Sequence, residues 1–362
     1  MRVRVILFVI AAVILSSGCG GSSSSGVSIP QNSPDITVPA PENEPPTQSH
    51  DIANPTPSPE TASQDTNPSP EIETPSPSAD ITIQTQSFDF DTGTVTLNSG
   101  VIMPIPGIGT YSLTSSQAEN SVYWALKAGF RLIDTARIYG NEGGVGRGIQ
   151  RAIDEGIVTR GEIFVTTKMW TSDYSNGAQA IDSSLQRLGL DYVDLMILHH
   201  SQPANDVAAY KSMEEALSAG KLRAVGLSNY YTPEDFDRLA NAVTIHPAVL
   251  QNETHPYHQS GTMKSHISQY GTILESWYPL GGRGHTQELF NDPVISSIAE
   301  SHGKTSAQVI LGWHLQAGNI AIPGSSNEQH IIEDFSIWDF SLTSDEMNQI
   351  AGLNQDRRNS TY

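Results

Sequence analysis

RLIDTARIYGNE, residues 131–142, is an apolar run that stops on an acid, Asp134, and continues into a loop carrying Tyr139. Three later stretches repeat the pattern: IFVTTKMW (163–170), YVDLMILHH (192–200) and AVLQNETHP (248–256). Short apolar runs bounded by turn residues are the signature of strands buried on both faces, as in a parallel sheet. A run that closes on a polar residue presents that residue at the strand's C-terminal end. The four stretches thereby supply Asp134, Tyr139, Lys168, His199 and Gln251. Each has a bland reading by itself: Asp134 as a helix cap, Lys168 as an edge residue, His199 as a polar strand exit. Gathered at one end of consecutive strands, they form a polar cluster.

Outward from these stretches the same texture recurs. Strands are expected at 106–110, 131–134, 163–167, 193–198, 223–228, 248–252, 272–277 and 319–322. Helices are expected at 115–129, 142–155, 175–189, 206–220, 232–241, 260–270, 291–302 or 305–317, and 343–353. Ahead of them, TVTLNSGVIMP (94–104) reads as a hairpin turning at Asn98-Ser99-Gly100. Eight strand–helix pairs fit an α/β fold, the closed (β/α)8 TIM barrel. A doubly wound sheet would want a glycine fingerprint after its first strand. The nearest match, GGVGRG (143–148), follows the second strand and reads as helix start and packing glycines.

The polar cluster brings in a resemblance. From about residue 92 to 358 the chain resembles an aldo-keto reductase. GFRLIDTARIYGNE is similar to that family's first signature, TTKMW to its lysine segment and YVDLMILHH to its histidine segment. GKLRAVGLSNY, VLQNETHP, ESWYPLG and AIPGSSN continue the likeness in order. The resemblance implies an NAD(P)H-dependent reduction of aldehydes or ketones, with Asp134, Tyr139, Lys168 and His199 as the catalytic tetrad. A carbonyl that accepts hydride at carbon becomes an alkoxide, and Tyr139 would protonate it. An ammonium beside the phenol favours the phenolate and lowers its pKa. Asp134 would hold the lysine, and a neutral His199 would orient the carbonyl.

The resemblance further implies that Ser228, Asn229 and Gln251 meet the nicotinamide amide, with Trp277 against its ring and Leu280 nearby. Ser325, Ser326, Asn327 and His330 would meet the adenosine half. Tyr111, Trp170 and His200 would line the substrate side, where His200 replaces a common Trp and makes the wall more polar. Tyr278 stands where many members carry Ser. Members preferring NADP usually have a Lys and an Arg where this chain has Gly324 and His330. A 2′-phosphate wants such fixed cations, so weakened NADP(H) selectivity is expected, with use of NAD(H) or of both. ESWYPLGGRGH resembles members acting on keto-sugar acids. The competing readings are a cofactor-binding sensor or accessory module, and a metal hydrolase. Of the 11 histidines, His246, His255, His258, His266, His285, His302 and His314 show no helical or strand-end metal spacing, so no metal is expected. The barrel is expected to be monomeric.

The chain has 362 residues and a formal net charge of −20. That charge argues against nucleic acid as a partner, since phosphate-binding surfaces need clustered cations. The acidity is uneven: no Lys or Arg occurs between Arg4 and Lys127. More than half of the 22 prolines fall in residues 20–88, amid Ser, Thr and Asp. This stretch lacks the apolar residues that offset ordering entropy, so a disordered acidic linker is expected there, with the barrel domain at 89–362. At the N-terminus, Arg2 and Arg4 precede VILFVIAAVIL and SSGC. Residues 1–19 thus read as a signal peptide whose Cys19 resembles a lipobox cysteine. The expectation is an exported protein, held on a membrane by a lipid anchor on Cys19. Free NAD(P)H is expected to be scarce outside the cytoplasm, so this location is in tension with the chemistry. Metabolic labelling with a fatty acid should mark the wild type and leave Cys19→Ser unlabelled; label retained in that variant would refute the anchor.

Overall fold

The computed structural model describes residues 87–361. The expectations for residues 1–19, for Cys19 and for the linker through residue 86 lie outside those residues.

Strands β1 (Ser87–Asp89), β2 (Thr94–Thr96) and β3 (Ile102–Pro104) form a small antiparallel sheet. The expected hairpin is β2–β3, and Gly100 closes its turn with φ 78° and an N–H donated to Leu97 O. β1 is additional and begins ahead of the boundary expected at residue 89. The hairpin stands under the barrel. Asn98 Nδ2 donates to Pro247 O and Tyr270 O, just before two barrel strands begin, and Val95, Leu97 and Met103 pack into the barrel interior.

The barrel strands are β4 (Gly107–Gly109), β5 (Leu132–Asp134), β6 (Phe164–Met169), β7 (Val193–Leu198), β8 (Leu222–Ser228), β9 (Val249–Glu253), β10 (Ile273–Trp277) and β11 (Ile320–Ala321). They pair in unbroken chain order, every neighbour parallel. The last edge meets the first where Gly109 N–H donates to Pro323 O at 2.8 Å. Two glycines flank this seam at close backbone approach. A Cβ on Gly109 would lie 2.9 Å from Ile322 O, and one on Gly324 would lie 2.8 Å from Gly109 O. Side-chain alternation along each strand then sorts the core. Leu132, Phe164, Leu195, Val249 and Ile273 fill the interior, whereas Ile133, Val165, Met196, Leu250 and Leu274 pack outward against helices.

Six helices follow successive strands: α1 (Ser115–Ala128), α2 (Glu142–Asp154), α3 (Gly177–Leu188), α4 (Asp206–Ser218), α5 (Pro233–Ala240) and α6 (Gly261–Ile267). After β10 come α7 (Thr286–Phe290), α8 (Pro293–His302) and α9 (Ser306–Gln316); α10 (Glu328–Phe335) and α11 (Ser344–Ala351) follow β11. Local chemistry starts several of them. Thr114/Gln117, Thr305/Gln308 and Thr343/Glu346 are capping boxes for α1, α9 and α11.

Both alternatives in the stretch 291–317 are helical, as α8 and α9, and α7 and α10 were not expected. α10 is short and mostly polar. It is nucleated by Asn327, whose side chain accepts the N–H groups of Gln329 and His330. It is held by Ile331 in the core and by Phe335 against Phe130, with ring centroids 4.8 Å apart. The GGVGRG stretch serves packing, as expected. Cβ atoms on Gly144, Gly146 and Gly148 would fall 2.0, 2.1 and 2.5 Å from the carbonyl oxygens of Ser115, Leu188 and Glu119. α2 therefore lies directly on neighbouring backbone.

Candidate active site

Along the barrel interior, apolar positions give way to polar ones toward the C-terminal strand ends. The period-2 alternation carries Leu132 to Asp134 on β5, Phe164 through Thr166 to Lys168 on β6, and Ile197 to His199 just past β7. It likewise carries Val249 to Gln251 on β9, and Ile273 through Glu275 to Trp277 on β10. The sequence-expected cluster is thus assembled at one mouth.

Lys168 is its centre and is 0 % exposed. An ammonium has three N–H donors, and all three are used. Nζ donates to Asp134 Oδ1 at 2.6 Å, to Thr135 O at 2.9 Å and to the Tyr139 hydroxyl at 3.2 Å. The other Asp134 oxygen, Oδ2, accepts from Gln251 Nε2 at 2.8 Å. Burial opposes both charges. For Lys168 it is outweighed by the Asp134 carboxylate and by Tyr139, which hold the ammonium above its ordinary range. For Asp134, burial pushes the carboxyl up, and Lys168 and Gln251 counter it.

Tyr139 ends a single 3-10 turn, Arg137–Tyr139, closed by Gly140 at φ 68°. The adjoining loop is fixed by Asn141, which donates to Thr110 O and Leu113 O and accepts from the Thr135 hydroxyl. Since Lys168 donates to the phenol oxygen, the phenol's own proton is left to face the cavity. The expected direction of its pKa needs correction. Burial pushes Tyr139 up to about 12, and the lowering by Lys168 offsets only part of that. Its phenol is therefore protonated across the neutral range.

His199 lies 5.8 Å from Tyr139, ring centroid to centroid, and stacks on His200 at 5.1 Å with the planes 7° apart. Burial, with Lys168 and His200 adding to it, holds its imidazole well below the usual histidine pKa, so it is neutral. No hydrogen bond joins the ring to another described residue, and Nδ1 is buried without a partner. Its backbone is better anchored, since Asn229 Nδ2 donates to His199 O at 2.9 Å. The Tyr174 hydroxyl donates to His200 O and accepts from His200 N, which sets the next residue.

A cavity of about 960 Å³ opens on these groups, at the upper end for small-molecule sites. Asp134, Tyr139 and His199 line it, whereas Lys168 lies behind them. Tyr111, Trp170 and His200 line one part, joined by Ile138 and Tyr278. Of the residues expected against a cofactor, Ser228, Asn229, Gln251, Trp277, Leu280, Ser325 and His330 line the cavity; Ser326 and Asn327 do not. Asn327 is occupied in capping α10.

Ser228 and Asn229 are also tied inside the protein. Ser228 Oγ donates to Gln251 O, and Asn229 Oδ1 accepts from the Tyr231 hydroxyl. Gln251 differs from them. Both its side-chain bonds run from Nε2 to carboxyl oxygens, which fixes the amide's orientation and leaves its oxygen for a donor in the cavity. Trp277 is half-buried at the mouth, and its Nε1 is buried without a partner among the described residues. A nicotinamide fits this set: an amide acceptor and an indole on the wall of one cavity.

Three contributors were not anticipated. Glu275 accepts from Gln251 Nε2 at 2.7 Å. It sits two residues before Trp277, and counting by two along ILESW would have placed it on the interior face. Glu333 and Asp334 line the cavity from α10. Burial, aided by Glu333, pushes Asp334 up to about 7.

The Aldo/keto reductase family model matches residues 105–355. The 9,11-endoperoxide prostaglandin H2 reductase of Trypanosoma cruzi (strain CL Brener) is 40% identical over 267 residues, covering 73% of this chain and 92% of that protein. The NAD(P)H-dependent D-xylose reductase I,II of Candida tropicalis is 35% identical over 298 residues, covering 72% of this chain and 92% of that one. Among solved structures, a Bombyx mori aldo-keto reductase in complex with NADP superposes with a TM-score of 0.69. Its sequence identity is 32%, over 73% of this chain and 94% of the other.

Proposed function

Because the chain belongs to the aldo/keto reductase family, we propose that it reduces aldehydes or ketones to alcohols with NAD(P)H, Tyr139 giving the proton. One observation carries this reading. The Tyr139 hydroxyl accepts from Lys168 at 3.2 Å on its buried side and lines the same cavity as His199 on the other.

When bound, a reduced nicotinamide would supply the hydride that the carbonyl carbon accepts. The chain's own residues govern the oxygen. A neutral His199 donates a hydrogen bond to it without adding a positive charge that would compete with Lys168. Tyr139, protonated at neutral pH, transfers its proton to the alkoxide, which is the stronger base. The phenolate left behind faces the Lys168 ammonium, which stabilises it. Lys168 acts through Tyr139 and is a positioning residue, as Asp134 is through Lys168. Gln251, Trp277 and Leu280 would hold the nicotinamide half of the cofactor.

For the other half, the cavity favours a dinucleotide without a 2′-phosphate. Gly324 lies against Gly109 O, where a side chain does not fit without movement of the seam. His330 is exposed, and Glu333 and Asp334 add carboxyl groups on the same helix. Among the described residues, Arg283 is the one Lys or Arg on the cavity lining, in a glycine-rich loop after β10. This setting supports NADH use at least equal to NADPH use. The Tyr111, Trp170, Ile138 and Tyr278 walls support small to medium carbonyl substrates with an apolar face, a keto-sugar acid being the more polar alternative.

Tyr139→Phe should lower kcat on simple aldehydes by about 10²- to 10⁴-fold while cofactor affinity, read by Trp fluorescence, is retained. Turnover near the wild-type value would remove Tyr139 as the donor. In the same titration the wild type should bind NADH no more weakly than NADPH. His330→Arg should tighten NADPH by about tenfold, the worth of one charge-assisted contact. A wild-type preference for NADPH of about a hundredfold, or 2.7 kcal/mol, would overturn the coenzyme reading.

A further inference from the structure

Glu275 is a second carboxyl in the barrel interior, 0 % exposed and absent from the cavity lining. Its Oε2 accepts from Gln251 Nε2 at 2.7 Å, and the same nitrogen donates to Asp134 Oδ2 at 2.8 Å. One amide nitrogen therefore bridges two carboxyl groups. Glu275 Oε1 is buried with no hydrogen-bond partner among the described residues.

The charged groups facing Glu275 are Asp134 from β5 and Lys168 from β6. Its strand neighbours contribute Gln251 from β9 and Ile320 from β11, both uncharged. Lys168 spends one donor on Asp134 and the other two on Thr135 O and Tyr139. A single ammonium in this interior cannot compensate two carboxylates, and an uncompensated buried anion is strongly disfavoured. Burial first, and Asp134 second, push the Glu275 carboxyl up to about 8. The proton therefore stays on Glu275 at neutral pH.

We propose that Glu275 is a positioning residue of the reductase site: protonated, it steadies Gln251 and leaves Asp134 as the sole counter-ion of Lys168, and its ionisation weakens proton transfer from Tyr139. The role rests on reading the site as a carbonyl-reduction centre. When Glu275 loses its proton to solvent base, a second anion shares the field of Lys168. The positive potential at the Tyr139 oxygen falls, and the phenolate formed in the reaction is less well stabilised. The effect falls on the chemical step and not on substrate binding, because Glu275 touches no part of the cavity.

The test compares steady-state pH profiles of kcat and KM for wild type and Glu275→Gln, with a simple aldehyde and saturating reduced cofactor. Wild-type kcat should fall by about tenfold as pH rises through 8, with KM nearly constant. Glu275→Gln keeps an acceptor for Gln251 Nε2 and cannot ionise, so its kcat should hold beyond that point.

Thermal melting gives a second readout free of catalysis. The folded pKa of Glu275 lies above its unfolded value of 4.5, so the folded state binds the extra proton between 4.5 and about 8. The stability linked to that proton is complete below 4.5 and is lost as pH rises toward 8. The Tm of the wild type should therefore fall relative to that of Glu275→Gln across this window. A wild-type kcat that stays level through pH 8, a variant profile that superimposes on the wild type, or a Tm difference independent of pH would each overturn the role. Wild-type protein with no carbonyl turnover at any pH would instead refute the reductase reading itself.

Discussion

Everything at this barrel mouth depends on one buried ammonium. Taking Lys168 and Asp134 out of water costs several kcal/mol per ion, and the pair is retained only if the remaining donors and acceptors are met. They are met completely. Three acceptors surround Nζ, and Gln251 covers the outer carboxylate oxygen. This satisfaction also fixes direction. The Tyr139 oxygen takes a hydrogen bond from behind, so its proton has only the cavity to face. A site built this way is polarised before any substrate arrives, which is the sense in which preorganised electrostatics lowers a barrier.

The fold supplies that arrangement through simple geometry. Alternation by two sends every second residue of each strand inward, and the parallel register sets Asp134, Lys168, Gln251 and Glu275 facing one another. The hairpin β2–β3 fills the opposite end with Val95, Leu97 and Met103. Two glycines, Gly109 and Gly324, meet where the first and last strands close, and an added Cβ at either would press on backbone oxygen.

Much of this was legible in the chain. Asp134, Lys168, His199, Gln251 and Trp277 each end or nearly end an apolar run, so their shared placement could be read without coordinates. The resemblance to aldo-keto reductases named their roles, and the barrel bears out the fold. Other features were hidden for physical reasons. The direction of the Tyr139 shift depends on how deeply the phenol is buried, a three-dimensional quantity that outweighs the neighbouring charge. Glu275 lies inside a strand, not at its end, and only the period-2 count reveals it. α10 carries few apolar residues and owes its existence to the Asn327 cap and the Phe335–Phe130 contact. Asn327, which the resemblance implies near the cofactor, caps α10 through backbone partners, a role that the sequence does not display.

In the proposed reaction the charge of Lys168 makes Tyr139 the proton donor. The most direct measurement is the single-turnover rate of aldehyde reduction by Lys168→Met, followed as loss of reduced nicotinamide absorbance, with cofactor affinity measured alongside. The expected rate is lower by about 10²- to 10⁴-fold at retained cofactor affinity, since the phenolate would form without its ammonium. A rate within about a factor of three of the wild type, at the same cofactor affinity, would contradict it.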